Sequence, residues 1–425
     1  MANLPPPRRP PRVFAALRYR NYRLYWFGQI VSLIGTWMQS VSLPWLVLLL
    51  GGKPILLGAV LALQFAPSMV LAPLGGVLAD RVDKRRLLMV TQSVAMLQAT
   101  AFFVLTYLNV IQIWQVMLLA LGLGIVNAVD MPVRQSFAAE LVPRADLINA
   151  IALNSASFNL ARVLGPAVAG VTLALYGPAF NFASNAVSYL AVLIALARMD
   201  PSAILRAVRP EQWASVRSSL AEGIRYAVRT PTVLWPLVLL GGMSTFGMNF
   251  QTLIPIFAKF TLQLGPEGYG LLFAAMGLGS LIGSMSLAFV GGRRPLLRLI
   301  LGGGLGFVVF EIALSFSRSP YAVYPSIALL GLSSMLMVNT INVIVQHSVP
   351  NELRGRVMAL YVTVFAGTTP IGGVFAGGVA QLWGAPLAFQ LGAALAGGVL
   401  ALVAYELLVL GKGWTDTPAR PAPAP

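Results

Sequence analysis

Apolar residues in this chain fall into blocks about as long as a bilayer is thick, separated by short polar or Gly/Pro stretches. A helix crossing the hydrocarbon core needs about 20 apolar residues at about 1.5 Å each. Such blocks predict spans at 22–50, 55–79, 87–108, 112–131, 147–175 and 179–197, and again at 232–258, 268–290, 296–316, 321–346, 354–382 and 385–410. Gly51-Gly52-Lys53-Pro54, Tyr176-Gly177-Pro178 and Gly384-Ala385-Pro386 supply the tight breaks, as Gly and Pro do in turns. Because lipid satisfies no backbone group, the expectation is an all-α membrane protein of twelve transmembrane helices.

One long polar segment, 198–231, interrupts the interior. In it Val216, Leu220, Ile224, Ala227 and Val228 share a helical face, and Arg217, Arg225 and Arg229 share another. That pattern predicts a helix lying on the membrane surface; a solvated connector with some helix fits nearly as well. The expected organisation is a basic arm at 1–21, a six-helix bundle at 22–197, this linker, a second six-helix bundle at 232–410, and a Pro-rich tail at 411–425. The two bundles echo each other in sequence. Val142-Pro143-Arg144-Ala145-Asp146 precedes the fifth span and Val349-Pro350-Asn351-Glu352 the eleventh, and each run reaches Ala-Leu at the same offset, Ala152-Leu153 and Ala359-Leu360. Gly165-Pro166 pairs with Thr369-Pro370, and Tyr176-Gly177-Pro178 with Trp383-Gly384-Ala385-Pro386. Repeats of this kind mark transporters whose halves rock about a central site.

Composition sharpens the picture. The chain is 57% hydrophobic and only 10% charged, with a mean hydropathy of +0.79. Soluble proteins carry about 25% charged residues, so a soluble domain is excluded. The net charge of +16 raises nucleic acid as a partner, but the placement of the charges argues against it. Basic residues gather in the N-terminal arm, around 81–86, in the linker and around 293–298, all on one predicted face. The other face has Lys53, Lys259 and Arg318, and Arg162 lies within a span. This is the positive-inside asymmetry. It predicts a multi-pass inner-membrane protein with both termini cytoplasmic and no nucleic-acid partner. The chain has no cysteine, which excludes thiol chemistry, disulfides and cysteine-ligated metals. The basic start leads into no short cleavable apolar stretch, so the first span reads as an uncleaved anchor.

The stretch Gly75-Gly76-Val77-Leu78-Ala79-Asp80-Arg81-Val82-Asp83-Lys84-Arg85-Arg86 concentrates charge between two apolar spans. It resembles the loop between helices 2 and 3 of the major facilitator superfamily, with Asp83 where that family usually has Gly. The runs Leu17-Arg18-Tyr19-Arg20-Asn21-Tyr22, Ser32-Leu33-Ile34-Gly35-Thr36-Trp37, Ala161-Arg162-Val163-Leu164-Gly165-Pro166 and Ala221-Glu222-Gly223-Ile224-Arg225-Tyr226 look like the branch that includes enterobactin-type siderophore exporters and macrolide efflux proteins.

The resemblance implies two six-helix pseudo-symmetric bundles and a cytoplasmic latch formed by Gly76, Asp80, Arg81, Lys84 and Asp130. In the family the loop's acid meets helix 11, and a basic residue of the loop pairs with an acid at the inner end of helix 4; Asp80, Lys84 and Asp130 stand at those places. A topology-setting loop is the plainer reading. Arg162, Gly165, Pro166 and Gly170 partly match the family's helix 5 antiporter motif, with Ala169 in place of one Gly; helix packing around a kink explains Gly165 and Pro166 equally well. A central Arg is costly in lipid and is expected to face the bundle interior, for anion attraction or pairing with an acid.

In the family helices 1, 4, 7 and 10 line the cavity. The matching polar and aromatic residues are Gln29, Thr36, Trp37, Gln39, Asn127, Asn249, Gln251, Asn339 and Asn342, joined by Asn159 and Arg162 on helix 5. A mostly neutral cavity suits a bulky amphipathic molecule; each residue alone also fits interhelical glue. Asp130 and Glu311 are the candidates for a coupling proton. Glu311 lies on helix 9, which the family keeps outside the bundle, so a structural partner or a snorkelling position competes for it. His347 reads as interfacial.

The expectation is therefore a proton-coupled exporter, monomeric, with lipid, a small molecule and protons as its partners. An importer or facilitator of a small metabolite is the alternative. A membrane enzyme or a non-transporting sensor is the alternative of a different class. One histidine, no cysteine and no paired mid-membrane carboxylates leave little for catalysis. No phosphate-binding Gly-rich Lys motif, cofactor motif or metal-ligating set is present.

Overall fold

The computed structural model describes residues 14–205, 216–290 and 296–408. The expected tail at 411–425 and most of the N-terminal arm lie outside these residues. Among the described residues the chain is helical throughout.

The first half holds α1 (Arg20–Leu49), α2 (Pro54–Arg81), α3 (Lys84–Tyr107), α4 (Ile113–Glu140) and the long α5 (Leu147–Ala197). Then comes α6 (Val216–Arg229). The second half holds α7 (Pro231–Gly242), α8 (Phe250–Ile256), α9 (Pro266–Val290), α10 (Leu296–Phe316), α11 (Pro320–Ser348), α12 (Asn351–Gly367) and α13 (Thr369–Leu408). Among the described residues, 9 helical stretches are long and apolar enough to cross a membrane. Two of them are double. α5 turns at Gly177 (φ 74°) and α13 at Gly384 (φ 84°), a left-handed conformation that glycine adopts without strain. Dividing both there and counting α2 accounts for the spans read from the sequence.

Two boundaries differ from the sequence reading. α2 and α3 run almost to meeting, so the charged loop shrinks to Val82 and Asp83. Asp83 caps α3 by accepting from the Arg86 N–H at 3.0 Å, which gives the residue that replaces the family's Gly a local role. The seventh span, expected as one helix, is broken. α7 passes into a π-turn at Met243–Gly247, non-helical Met248 and Asn249, then α8 and a second π-turn at Phe257–Thr261.

Within the first half α1 and α3 pack on α5, and α2 packs on α4; within the second, α9 and α10 pack on α11, and α10 packs on α13. The halves meet where α5 faces α9 and α2 faces α13. The largest buried apolar cluster joins them, with Val41, Trp45 and Leu57 from the first and Leu253, Tyr269 and Val379 from the second. A separate cluster (Tyr22, Tyr25, Leu88, Phe137, Leu153) fills the first half at its other end. That other end carries Arg18, Lys84, Arg85 and Arg144 and is called the basic face below.

Candidate functional site

At the basic face Tyr19, Lys84 and Arg85 bind within the first half. Lys84 Nζ donates to Glu140 Oε1 at 2.5 Å. This corrects the expected Lys84–Asp130 pair. The sequence reading ended the fourth span at 131, whereas α4 continues to Glu140; at about 1.5 Å per residue Asp130 lies about 15 Å along α4 from Glu140, the acid that Lys84 meets. Arg85 closes the end of α5, its Nε donating to Leu196 O at 2.6 Å and its Nη2 to Ala197 O at 3.0 Å. Tyr19 Oη donates to Asp146 Oδ2 at 2.7 Å. That bond, then partial burial, then the Asp146 charge, raise the phenol above its ordinary range. Gly76, Asp80 and Arg81 occupy the last turns of α2, and their side chains lie outside the described residues.

Asp130 is buried and fully engaged. Thr91 Oγ1 donates to Oδ1 at 2.7 Å and Gln92 Nε2 at 2.8 Å; Arg134 holds Oδ2 through Nε at 2.9 Å and through Nη2. Arg134 Nη1 also donates to Gln29 Oε1 at 2.9 Å. The network ties α1, α3 and α4 together. Both carboxyl oxygens of Asp130 thus have partners from α3 or α4.

Deeper in the first half, Asn185 Nδ2 donates to Gln39 Oε1 at 2.8 Å, Gln39 Nε2 to Gln98 Oε1 at 3.3 Å, and Asn181 Nδ2 to Ser42 Oγ at 2.7 Å. Gln29 and Gln39 are thus buried among helices of one half, a correction to their expected place on a cavity wall. Asn249 is also buried; its Nδ2 donates to Thr245 O at 2.9 Å and Phe246 O at 3.2 Å, satisfying carbonyls freed by the break in the seventh span. Thr36, Asn127, Gln251, Asn339 and Asn342 keep part of their surface open. Asn339 Nδ2 donates to Ser284 Oγ at 3.0 Å, and Asn342 Oδ1 accepts from Gln346 at 2.6 Å. Trp37 meets the exposed Phe158 edge-on at 5.9 Å. Asn159 turns back on Ser155 O at 2.9 Å.

On the face opposite the basic one, contacts cross between the halves. Lys259 Nζ donates to Leu48 O at 2.6 Å, near the C-terminal end of α1. Tyr269 Oη donates to Val41 O at 3.0 Å, and its ring stacks on Trp45 at 5.0 Å. The Ile55 N–H donates to Gln381 Oε1 at 3.4 Å. Glycines bring backbones together there: a Cβ on Gly170 would stand 2.6 Å from Gly270 Cα, and one on Gly58 2.2 Å from Gly373 O. Small residues permit such approach in membrane helices. Gly170 therefore belongs to the seam between the halves. Gly165 packs inside the first half, where an added Cβ would lie 2.4 Å from Trp37 Cβ. Pro166 is buried next to it. Sequence reasoning missed Lys259 and Tyr269; Lys259 was legible as one of the few basic residues on its face.

Arg162 sits midway along the part of α5 that precedes the Gly177 turn, its carbonyl against Gly277 of α9. Among the described residues its guanidinium meets Met335 Sδ of α11 at 3.5 Å and forms no ion pair. Glu311 on α10 is 0% exposed, and neither carboxyl oxygen has a hydrogen-bond partner. The expectation of a structural partner or a snorkelling position is thereby overturned. No group of acids and histidines able to hold a metal occurs among the described residues.

A polytopic helical protein in two similar halves, joined at one face through helices 2, 5, 8 and 11 of the sequence count, has the architecture of a major facilitator transporter. Solved structures agree on the fold. A point mutant of the nucleoside transporter NupG superposes with a TM-score of 0.74 at 10% identity, covering 92% of this chain and 99% of that one. A bacterial homolog of the human lysosomal transporter Spinster, inward-facing and unoccupied, gives 0.68 at 13% identity, covering 94% and 99%. The profile of the transmembrane secretion effector family matches residues 12–417, and the chain belongs to that family of the major facilitator superfamily. Among curated relatives, the staphyloferrin A transporter of Staphylococcus aureus is 26% identical over 87% of this chain and 92% of its own length. The multidrug efflux pump Tap of Mycolicibacterium fortuitum is 25% identical over 84% and 88%. The enterobactin exporter EntS of Shigella boydii is 23% identical over 91% and 92%. The protein is a multi-pass membrane transporter by family, and that family is not an enzyme class.

Proposed function

We propose that this protein exports a bulky amphipathic molecule across the bacterial inner membrane by alternating access, driven by proton influx. The observation that carries the reading is the seam opposite the basic face. Lys259, Tyr269, Gly58 and Gly170 join the halves on the face away from the basic residues. With the basic face cytoplasmic, this conformation is closed to the outside. Both termini are then cytoplasmic, the bundles span 22–197 and 232–410, and 198–231 links them on the inner surface. The protein works as a monomer in lipid and carries out no chemistry on its cargo. The relatives named for staphyloferrin A transport, multidrug efflux and enterobactin export support an organic cargo over a small ion. Arg162, facing Met335 between the halves, supports a cavity that draws an anionic group of the cargo.

The test is uptake into inverted, respiring vesicles of two fluorescent amphiphiles that share a ring system, one anionic and one cationic, with and without a proton uncoupler. Accumulation of either that the uncoupler abolishes supports proton-driven export. Accumulation unaffected by the uncoupler overturns the proton drive, and none above empty vesicles overturns export of this class of cargo.

A further inference from the structure

Glu311 and the break in the seventh span form one unit. In the π-turn, Met248 N–H donates to Met243 O at 2.9 Å, and Asn249 N–H donates to Gly247 O at 2.8 Å. Met248 (ψ 36°) and Asn249 (ψ 37°) leave helical geometry. Single π-turns of this kind concentrate at functional sites. Glu311 points at this turn from α10. A Cβ on Gly247 would stand 3.3 Å from Glu311 Oε2, and one on Gly392 of α13 would stand 3.6 Å from Oε1. Glycine at both positions leaves the acid its room. Phe307 closes the pocket on the side of Gly247.

No counter-charge reaches this pocket from the elements around it. The seventh span has no Asp, Glu, Lys, Arg or His from 231 to 258, α13 none from 369 to 405, and α11 none from 320 to 346. Tyr321 of α11 is exposed, and Tyr324 donates to Gly268 O at 3.5 Å. On its own helix the nearest charges are Arg298 and, past its end, Arg318, whose Nη1 donates to Ser315 O at 3.2 Å. Among the described residues the Glu311 carboxyl has neither donor nor counter-ion, a setting that strongly disfavours a buried charge.

We propose that Glu311 is the coupling-proton site of the transport cycle and that it acts on the outer gate through the broken seventh span. The proposal rests on the proton-driven reading above. The outer part of that span, α8 and the π-turn with Lys259, carries the contact to Leu48 of α1. When the outer side opens, α8 swings about Met243–Asn249 and water reaches the acid. The acid then takes up a proton from the outside, and the proton leaves to the inner side from the outer-closed form. Reprotonation removes the charge, allows the pocket to dry, and favours closure. Loading therefore stabilises the outer-closed form, and release of the proton favours the outer-open one.

The native chain has no cysteine, so Val110→Cys and Phe316→Cys, both exposed at outer helix ends of opposite halves, report the gate directly. Spin-label distances are measured on the full chain in nanodiscs from about pH 5 to about pH 9, a window wide enough for a strongly displaced carboxyl. The long-distance population is expected to rise at least about tenfold with pH. In Glu311→Gln, which mimics the neutral acid, the short distance persists throughout. In Glu311→Asp the transition remains with a displaced midpoint. A Gln variant that shifts like the wild type, or an Asp variant with an unmoved midpoint, overturns the Glu311 site and leaves proton drive standing if vesicle uptake is still uncoupler-sensitive. A wild type that never shifts with pH overturns the proposal whatever the uncoupler does. A shift that follows sodium at constant pH overturns it in favour of a metal cation.

Discussion

Among single residues, the two acids singled out by sequence have opposite environments. Asp130 has an arginine, a threonine and a glutamine on it, while Glu311 has nothing. The sequence could not sort them, because each is one acid in an apolar helix, and partners such as Thr91 and Gln92 come from a different span. The Asp130–Arg134 pair is expected to behave as a largely buried ion pair, with the Asp130 side chain 2% and the Arg134 side chain 28% exposed. Removing one member of such a pair costs about 3–5 kcal/mol, since the other is left charged and alone. Arg134→Leu is therefore expected to lower the thermal midpoint sharply in detergent. The double variant with Asp130→Asn removes the stranded charge and is expected to recover most of the loss. If the double variant is no more stable than Arg134→Leu, the pair is not what holds α1, α3 and α4 together.

For the helices, sequence and structure agree where glycine and proline together mark a turn and part where a helix breaks at glycines without a proline beside them. Gly177-Pro178 and Gly384-Ala385-Pro386 announced the turns of α5 and α13. The π-turn at Met243–Gly247 has Gly241, Gly242 and Gly247 around it but no proline, and glycine alone is common inside membrane helices. The linker helix α6 was legible from its two faces. Its contacts with α12 through Arg356 and Glu222, and with the end of α11 from Tyr226 Oη to Ser348 O at 3.0 Å, were not. The glycine seam gives a test at this scale. At Gly170 an added Cβ meets backbone at 2.6 Å, whereas at Gly122 it meets nothing within 4 Å. Overpacking a tight contact costs about 1–3 kcal/mol, and backbone cannot rotate aside. Gly170→Leu is expected to part the halves and speed maleimide labelling of a cysteine placed at the buried Thr252. Gly122→Leu is expected to leave the rate unchanged. Equal rates in both would show that the α5–α9 contact does not hold this face shut.

At the scale of the whole molecule, two properties come from different sources. Topology is written in the charges: a positive-inside count needs only the linear order of loops and spans. Conformation is not, because one sequence must support at least two arrangements of the same halves, and the hydrophobic pattern is common to both. What distinguishes them is which helix ends touch. Here Lys53-Pro54-Ile55 of the first half lies beside Gln381 of the second, with the Ile55 N–H on Gln381 Oε1 at 3.4 Å. Lys53 and Gln381 are both exposed, so cysteines there can be joined by a short reducible dithiol-reactive linker without entering the core. If the halves rock about a central site, the linked protein stays closed on this face and its transport stops. Cleaving the linker with reductant is expected to restore transport to the level of the unlinked double variant. Either single-cysteine variant, treated alike, is expected to keep its activity, which separates tethering from chemical damage. Transport that continues undiminished while the linker is intact would mean that these ends never part, and the cargo would then need a route that does not pass between the halves.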